Sequence, residues 1–274
     1  DSDVVVPKGY LIAVTKELSA EYADAFGGPD RADSSFTNTQ KAISYSMTSF
    51  FTTGGIRGGK KKLDKFYPRS FNMGIRRDVY AELGGFSKMR FGEDIDFSIR
   101  IFKAGKKCRL FPDAWVYHKR RTDFRKFWRQ VFNSGIARIN LYKKYPESLK
   151  LVHLLPMVFT LGVVFCCFAM LTGIVFYALQ ALISFPSAES GWGFFLYTIG
   201  LCLMVLGLSP LLLYSIIIFI DATIKNKCFS VGLRSIVASF VQLMGYGCGF
   251  LQAWWRRCIR GQNEFQAYEK NFYK

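Results

Sequence analysis

The sequence is short of the residues that build zinc and redox sites. It has only two histidines, and its seven cysteines show no Cys-x-x-Cys spacing, which excludes the usual zinc ribbon and dithiol motifs. Most of the cysteines fall within apolar segments, so we predict reduced thiols. No Gly-x-x-x-x-Gly-Lys-Ser/Thr motif is present either, and the glycine- and lysine-rich stretch 54–62 is therefore not a P-loop. We predict a mobile loop there.

Charge is absent from two long stretches. Residues 151–188 and 190–220 contain no Asp, Glu, Lys or Arg, whereas a helix needs only about 20 apolar residues to cross a bilayer. The sequence therefore predicts an integral membrane protein with spans at about 151–184 and 192–222.

Acidic residues are also scarce, at 20 against 37 Lys plus Arg, for a net charge of +17. Residues 1–150 contribute 29 − 16 = +13 and residues 151–274 contribute 8 − 4 = +4. The loop at 185–190 has no basic residue, whereas lysines flank both spans on their other sides. By the positive-inside rule, the basic part is expected in the cytoplasm.

Two further segments are expected at the membrane surface. Residues 121–150 hold a helix with an aromatic face and a cationic face, typical of an interface helix, although a surface helix packed on the soluble domain has the same pattern. Residues 228–255 are apolar but contain Arg234, Gln242 and several glycines. We predict an interfacial or re-entrant helix there, which would leave the carboxy terminus in the cytoplasm.

Strand signals are confined to the basic part. Residues 109–111 and 114–118 are predicted to form short strands joined through Pro112 and Asp113, and the segment Tyr10–Val14 is a further candidate strand.

A cluster of three carboxylates is the part of the sequence that indicates catalysis. Glu93, Asp94 and Asp96 open a segment whose apolar spacing predicts a helix over 93–103. A carboxylate on a rigid element can take a proton from an incoming hydroxyl. Alternatively, acidic residues collect at a helix start because the helix dipole favours them there.

The motifs before and after these acids occur in a telling order, with Asn-x-Gly at 72–74, Gly-Gly-Phe at 84–86, Glu-Asp-x-Asp at 93–96, Arg100 and Gly105. This order resembles the second half of the catalytic domain of membrane-associated family 2 glycosyltransferases. The resemblance implies an α/β fold in which residues 1–120 are the C-terminal half of a GT-A nucleotide-sugar transferase domain, followed by a helical transmembrane region. It also implies an N-terminally truncated fragment that is inactive by itself.

The resemblance assigns roles to individual residues. Asp94, or alternatively Glu93, would be the catalytic base of an inverting transfer from a nucleotide-diphospho-sugar. Asn72, Gly84 and Gly85 would shape the sugar pocket. The expected ligands of Mg²⁺ or Mn²⁺ are Asp1, Asp3 and His118, and the expected diphosphate contacts are Arg120 and Arg121.

Processive members of the family carry a Gln-x-x-Arg-Trp motif on an interface helix. That motif holds the acceptor chain, and Gln130 is accordingly the expected substrate-binding residue of this helix. Here Gln130 is present without that Arg or Trp, which indicates addition of a single sugar to a lipid-linked or glycan acceptor. The competing interpretation is a non-enzymatic scaffold or transporter subunit whose basic domain binds membrane lipids. The spans lack the mid-membrane charges typical of transporters, and no nucleic-acid-binding motif accompanies the basic charge.

Overall fold

The structure, a computed structural model, describes residues 4–31, 33, 35–53, 66–89, 91–183 and 191–264. The predicted metal ligands Asp1 and Asp3 and the loop 54–62 lie outside the described residues. Helices dominate the fold, and the strands of the basic part form two small sheets.

The strands of the two sheets are short. They are β1 (Val4–Val5), β2 (Ala25–Gly27), β3 (Asp30–Arg31), β4 (Met73–Ile75), β5 (Cys108–Leu110) and β6 (Val116–His118). One sheet has the order β1-β6-β3 and the other β4-β2-β5. β6 is antiparallel to β1 and parallel to β3, while β2 is antiparallel to β4 and parallel to β5. The strands predicted around 109–111 and 114–118 are therefore confirmed.

The first helix corrects one expectation. The candidate strand at Tyr10–Val14 is wrong, because this segment opens the helix α1 (Tyr10–Ala20), which follows Gly9 in a left-handed conformation. Tyr10, Ala13 and Val14 pack on a cluster that includes Phe111. That i, i+3, i+4 spacing puts one face of a helix, and not of a strand, against the core.

The remaining helices of the basic part are α2 (Asn38–Thr48), α3 (Phe50–Thr53), α4 (Arg77–Glu82), α5 (Glu93–Lys103) and α6 (Phe124–Lys144). α5 confirms the predicted helix over 93–103. It buries Phe97 and Ile101 completely, and both pack with Ala25 of β2. The apolar face of α5 thus fixes the helix, and the carboxylates at its start, against the second sheet.

The two predicted spans correspond to the helices α7 (Leu155–Ile183) and α8 (Gly191–Asn226). They form an antiparallel hairpin whose backbones approach closely at glycines, with Gly173 against Gly200 and Gly207 against Cys166. A Cβ at any of these glycines would collide with the other helix. Small residues at helix contacts are typical of packing inside membranes.

The third apolar segment is one continuous helix, α9 (Phe229–Trp254), continued by a π-helical turn at Trp255–Ile259. α9 runs parallel to α6, because Phe127 shares a cluster with Val231 and, further along both helices, Ile139 shares one with Ala253. The two backbones approach closely at Gly249 and Gly135. The glycines of α9 therefore permit close packing without breaking the helix. The apolar face of α6 is covered by protein, with Phe127 fully buried in a cluster shared by α2 and α9.

α9 packs against the α7–α8 hairpin. Phe240 packs on Phe159, Gly247 lies against Pro156 and Thr160, and Phe250 shares a cluster with Leu154 and Met157. These contacts place residues 240–250 of α9 against residues 154–160 at the start of α7. Among the described residues, α7, α8 and α9 are each long and apolar enough to cross a membrane.

Candidate active site

Both predicted catalytic carboxylates, Glu93 and Asp94, lie in the first turn of α5. Gly92 precedes it with a left-handed φ of 83°, and its Cα faces Ala137 and Leu141 of α6. Asp94 is buried, and its Oδ2 lies 3.4 Å from the guanidinium of Arg69. Burial, and after it the negative charge of Asp94, raises the pKa of Glu93. The helix start therefore presents two adjacent carboxyl groups in a partly desolvated place beside α6.

Asp96 has a different environment and is fully buried. Its Oδ1 accepts hydrogen bonds from Lys144 Nζ at 2.6 Å and Tyr145 Oη at 3.0 Å, and its Oδ2 accepts one from Arg100 Nε at 3.1 Å. Burial alone would raise its pKa, but hydrogen bonds from Lys144 and Tyr145 outweigh burial and lower the pKa of Asp96. Asp96 thus ties α5 to the end of α6.

The predicted pocket glycines belong to the same network. Gly84 and Gly85 have φ values of 71° and 64° and end α4 in a conformation that favours glycine. Arg100 donates to the carbonyls of Leu83 and Gly85, each at 2.6 Å. The double-glycine turn is therefore held to α5 through the arginine that Asp96 orients, and its contact with a sugar stays a prediction.

A second group of predicted residues lines one small cleft. Its walls are His118, Lys119, Arg120, Arg121 and Gln130. His118 ends β6, residues 119–121 follow it in the segment before α6, and the second turn of α6 supplies Gln130. The structure thus brings together the predicted metal-ligating histidine, both predicted diphosphate contacts and the predicted substrate-binding glutamine.

Asp30 of β3 anchors this cleft. Arg120 is buried and forms an ion pair with Asp30, and its carbonyl accepts a hydrogen bond from Gln40 Nε2 at 3.0 Å. His118 Nδ1 lies 3.9 Å from Asp30 Oδ2. A buried ion pair of this kind fixes the backbone on which the flanking Lys119 and Arg121 stand, so the cleft is basic but contains one carboxylate.

The segment 69–72 joins the cleft to the carboxylates. Arg69 reaches Asp94, and two residues later the ring of Phe71 stacks on His118 with centroids 4.2 Å apart. The adjacent Asn72 is buried at the end of a short 3₁₀ turn. Four consecutive residues therefore contact both halves of the candidate site and set their separation.

The amide of Asn72 is bonded within the protein. Its Oδ1 accepts from Tyr10 Oη at 2.7 Å, and its Nδ2 donates to the carbonyls of Ala114 at 2.9 Å and Pro29 at 3.4 Å. These bonds tie α1 and the strand ends around the cleft to one another. The geometry supports a positioning role, while the predicted contact of Asn72 with the sugar stays a prediction.

Sequence reasoning did not single out Arg69, Phe71 or Asp30. Their partners lie far along the chain, and none of them stands in a periodic pattern. Of the three, Asp30 carries the clearest sequence signal. It follows Gly27-Gly28-Pro29, where a turn ends and a strand can begin. No comparable local signal marks Arg69.

A metal at the cleft would depend on residues outside the described ranges. Within the described residues, no group of three or more His, Cys, Asp or Glu could hold a metal ion. His118 is paired with Val4, the residue that follows Asp3 in the sequence. Asp30 lies beside His118, so the described part of the cleft offers one carboxylate and one imidazole, of which Mg²⁺ prefers the carboxylate oxygen and Mn²⁺ accepts both.

These features define a mostly helical chain with two small sheets, in which segment 69–72 lies between a basic cleft and two neighbouring carboxylates, the half-buried Glu93 and the buried Asp94. Residues 1–220 match the family described as glycosyl transferase family group 2, so the chain belongs to the family 2 glycosyltransferases. It is also similar to the probable glycosyltransferase YdaM of Bacillus subtilis (strain 168), with 32% identity over 71 residues. That match covers 26% of this chain and 16% of the relative's length.

Proposed function

We propose that the protein transfers one sugar, with inversion, from a nucleotide-diphospho-sugar to a lipid-linked or glycan acceptor at the cytoplasmic face of a membrane. The observation that carries this proposal is the segment 69–72, which links Asp94 to the basic cleft at His118. A proton acceptor for the incoming hydroxyl and cations for the departing diphosphate are the two requirements of such a displacement, and this segment joins them.

Asp94 is the proposed general base. It stands on the first turn of a helix whose apolar face is buried, so its position is rigid, as proton transfer in a transition state requires. Arg69, at 3.4 Å, orients the carboxylate. Glu93 is the alternative base. Its raised pKa means that it takes up a proton at a higher pH than an ordinary glutamate, which makes it the weaker candidate for the base.

Arg121 and Lys119, with the buried Arg120, are the proposed contacts of the donor diphosphate. Arginine suits this role because its planar guanidinium can bind phosphate oxygens in pairs. The ion pair between Arg120 and Asp30 uses part of that side chain, so Arg121 and Lys119 carry more of the proposed contact. Gln130, on the opposite wall, can donate to or accept from the sugar.

His118 and the neighbouring carboxylate of Asp30 supply donor types that the divalent cation implied by the family resemblance accepts. Asp1, Asp3 and His118 would hold Mg²⁺ or Mn²⁺, with Asp30 next to the histidine. When bound, such an ion neutralises negative charge on a leaving diphosphate. The protein's own part is to orient His118, which Phe71 does by stacking.

The acceptor is proposed to approach along the membrane. α6 forms one wall of the cleft through Gln130 and faces the start of α5 through Ala137, while α9 packs on its other side. The absence of the Gln-x-x-Arg-Trp pattern at Gln130 favours the addition of one sugar over processive synthesis. A lipid-linked or membrane-proximal glycan fits this arrangement.

The test is Asp94→Asn in the complete membrane-bound protein. We expect transfer to fall by about 10²-fold or more, the size of general-base effects, with donor binding retained. Asp113→Asn is the matched control, because Asp113 is an exposed carboxylate in the turn between β5 and β6. Turnover of Asp94→Asn equal to that of the control would refute the assignment of the base.

A further inference from the structure

The end of α9 has the composition of a helix segment at the depth of lipid headgroups. Trp254, Trp255 and Ile259 are exposed there, next to Arg256 and Arg260. Exposed tryptophans beside arginines are typical of the interface between the hydrocarbon core and water. The helix changes to a π-turn at this level, closed by the hydrogen bond from the amide of Arg260 to the carbonyl of Trp255.

The π-turn directs one arginine inward. An extra residue in the turn rotates the side chains that follow it, and π-turns of this kind are frequent at functional sites. Arg257 points to α6, where its guanidinium donates to Oδ1 of Asn140, and its side chain is only 13% exposed. By contrast, Arg260 of the same turn is exposed and lies over the ring of Trp255.

Two buried N–H groups at this contact have no hydrogen-bond partner among the described residues. They are Nε of Arg257 and Nδ2 of Asn140, and Asn140 as a residue has a relative exposure of only 2%. The carboxylate of Glu264 lies 3.9 Å from Arg257, beyond hydrogen-bond distance, and is partly exposed. Buried polar groups in proteins are nearly always bonded, so unfilled donors beside a buried positive charge call for an anionic acceptor.

We propose that Arg257 and Asn140 bind the phosphate group of a membrane lipid. Phosphate oxygens are acceptors only, so they complement two N–H donors and a guanidinium. The headgroup depth indicated by Trp254 and Trp255 is where lipid phosphates are found. The side-chain amide of Asn140 holds the guanidinium in place, while its own Nδ2 and Arg257 Nε bond the ligand.

This site lies close to α5. Asn140 is three residues beyond Ala137 on α6, or about 4.5 Å along the helix axis, and Ala137 lies against Gly92 at the start of α5. If the protein is the transferase proposed above, a lipid phosphate held here would place the acceptor's headgroup near Asp94. The binding of the phosphate itself does not depend on that activity.

The experiment measures lipid binding in the absence of any sugar donor. The complete protein is placed in phosphatidylcholine nanodiscs and titrated with a fluorescent phosphatidic acid or with a short isoprenoid phosphate. Arg257→Gln should weaken binding of at least one of them by about tenfold or more, the size expected for a lost charge-assisted hydrogen bond. Arg260→Gln, which removes the same charge from the same turn, should change binding by less than about twofold.

Asn140→Asp keeps the fold testable, because the substitution is isosteric and gives Arg257 an internal carboxylate partner. It should abolish phosphate binding while leaving the thermal transition of the protein in place. Glu264→Gln, which removes the competing carboxylate, should tighten binding. Asp94→Asn should bind the lipid as the wild type does, which separates this proposal from the catalytic one.

The two lipids distinguish the sources of the phosphate. Preference for the isoprenoid phosphate indicates a lipid-linked acceptor, and equal binding of both indicates a general lipid phosphate. Equal binding by Arg257→Gln and Arg260→Gln would overturn the site. Competition by inorganic phosphate at the same concentration as the lipids would overturn the lipid as the ligand.

Discussion

Replacing Asp96 by asparagine should lower the stability of α5, the helix that carries the proposed base Asp94. The substitution keeps the shape of the side chain but removes the negative charge that Arg100, Lys144 and Tyr145 share. It also puts an amide NH₂ where a carboxylate oxygen accepts hydrogen bonds. Lys144 and Arg100 would then face a neutral group, and one of their hydrogen bonds would meet a donor.

The size of the effect follows from burial. Breaking a buried ion pair costs about 3 to 5 kcal/mol when the remaining charge stays buried. Asp96 is completely buried, but the side chain of Lys144 is 45% exposed and can turn to solvent, and Arg100 keeps its bonds to two backbone carbonyls. We therefore expect the lower end of that range, about 3 kcal/mol.

The dependence of this stability difference on pH tests whether the charge of Asp96 is its source. Because the folded pKa of Asp96 is lowered, its contribution to stability is fully present above the unfolded value of about 3.9 and is lost as the pH falls through the folded pKa. The difference in stability between the wild type and Asp96→Asn should thus be largest near neutral pH and shrink under acid conditions. A difference that grew on acidification would mean that the charge of Asp96 is not the source of the stabilisation.

The assay is thermal unfolding of the detergent-solubilised protein, followed by the reaction of a thiol dye with the half-buried Cys108, which packs against Phe97 and Ile101 of α5. Asp78→Asn is the matched control, since Asp78 is an exposed carboxylate in an ion pair with Arg76 on the surface. The control should unfold at the wild-type temperature. If Asp96→Asn did the same, the network at the end of α6 would not stabilise α5, and the reasoning would fail.

Two other predictions concern the cleft and the membrane. Transfer by the complete protein should be lost in EDTA and return with Mn²⁺ or Mg²⁺, measured as sugar incorporation; full activity in EDTA would remove the proposed metal role of Asp1, Asp3 and His118. If α9 lies at the cytoplasmic interface, Asn263→Cys, in a background with Cys258→Ser, should react with a membrane-impermeant thiol reagent only after cells are opened. Ser190→Cys should react in intact cells, and labelling of both from outside would establish a third span.

Much of the architecture was predictable because it has a local physical signal. The period of apolar residues placed α5, and the lack of charge placed α7 and α8 to within a few residues. The pair Asp96 and Arg100 was also readable, since residues four apart on a helix face each other. The family match over residues 1–220 agrees with the motif order around α5.

The parts that could not be predicted depend on contacts between distant residues. Arg69 and Asp94 are 25 positions apart, and Asp96 meets Lys144 and Tyr145 at separations of 48 and 49. Such pairs have no periodic pattern in one sequence. The strand expected at Tyr10–Val14 was wrong for a different reason, because the i, i+3, i+4 spacing of Tyr10, Ala13 and Val14 is a local helix signal to which the strand prediction gave no weight.

One face of α6 connects these distant contacts. Gln130 lines the basic cleft, Ala137 supports Gly92, Asn140 meets Arg257, and Lys144 bonds Asp96. A helix rises about 1.5 Å per residue, so the cleft residue and the support of α5 are about 10.5 Å apart on a single rigid element. Glycine contacts hold the opposite face of α6 close to α9. A displacement of α9 would therefore move the cleft and the carboxylates together. The geometry of the candidate site is therefore set by the membrane region as much as by the small sheets.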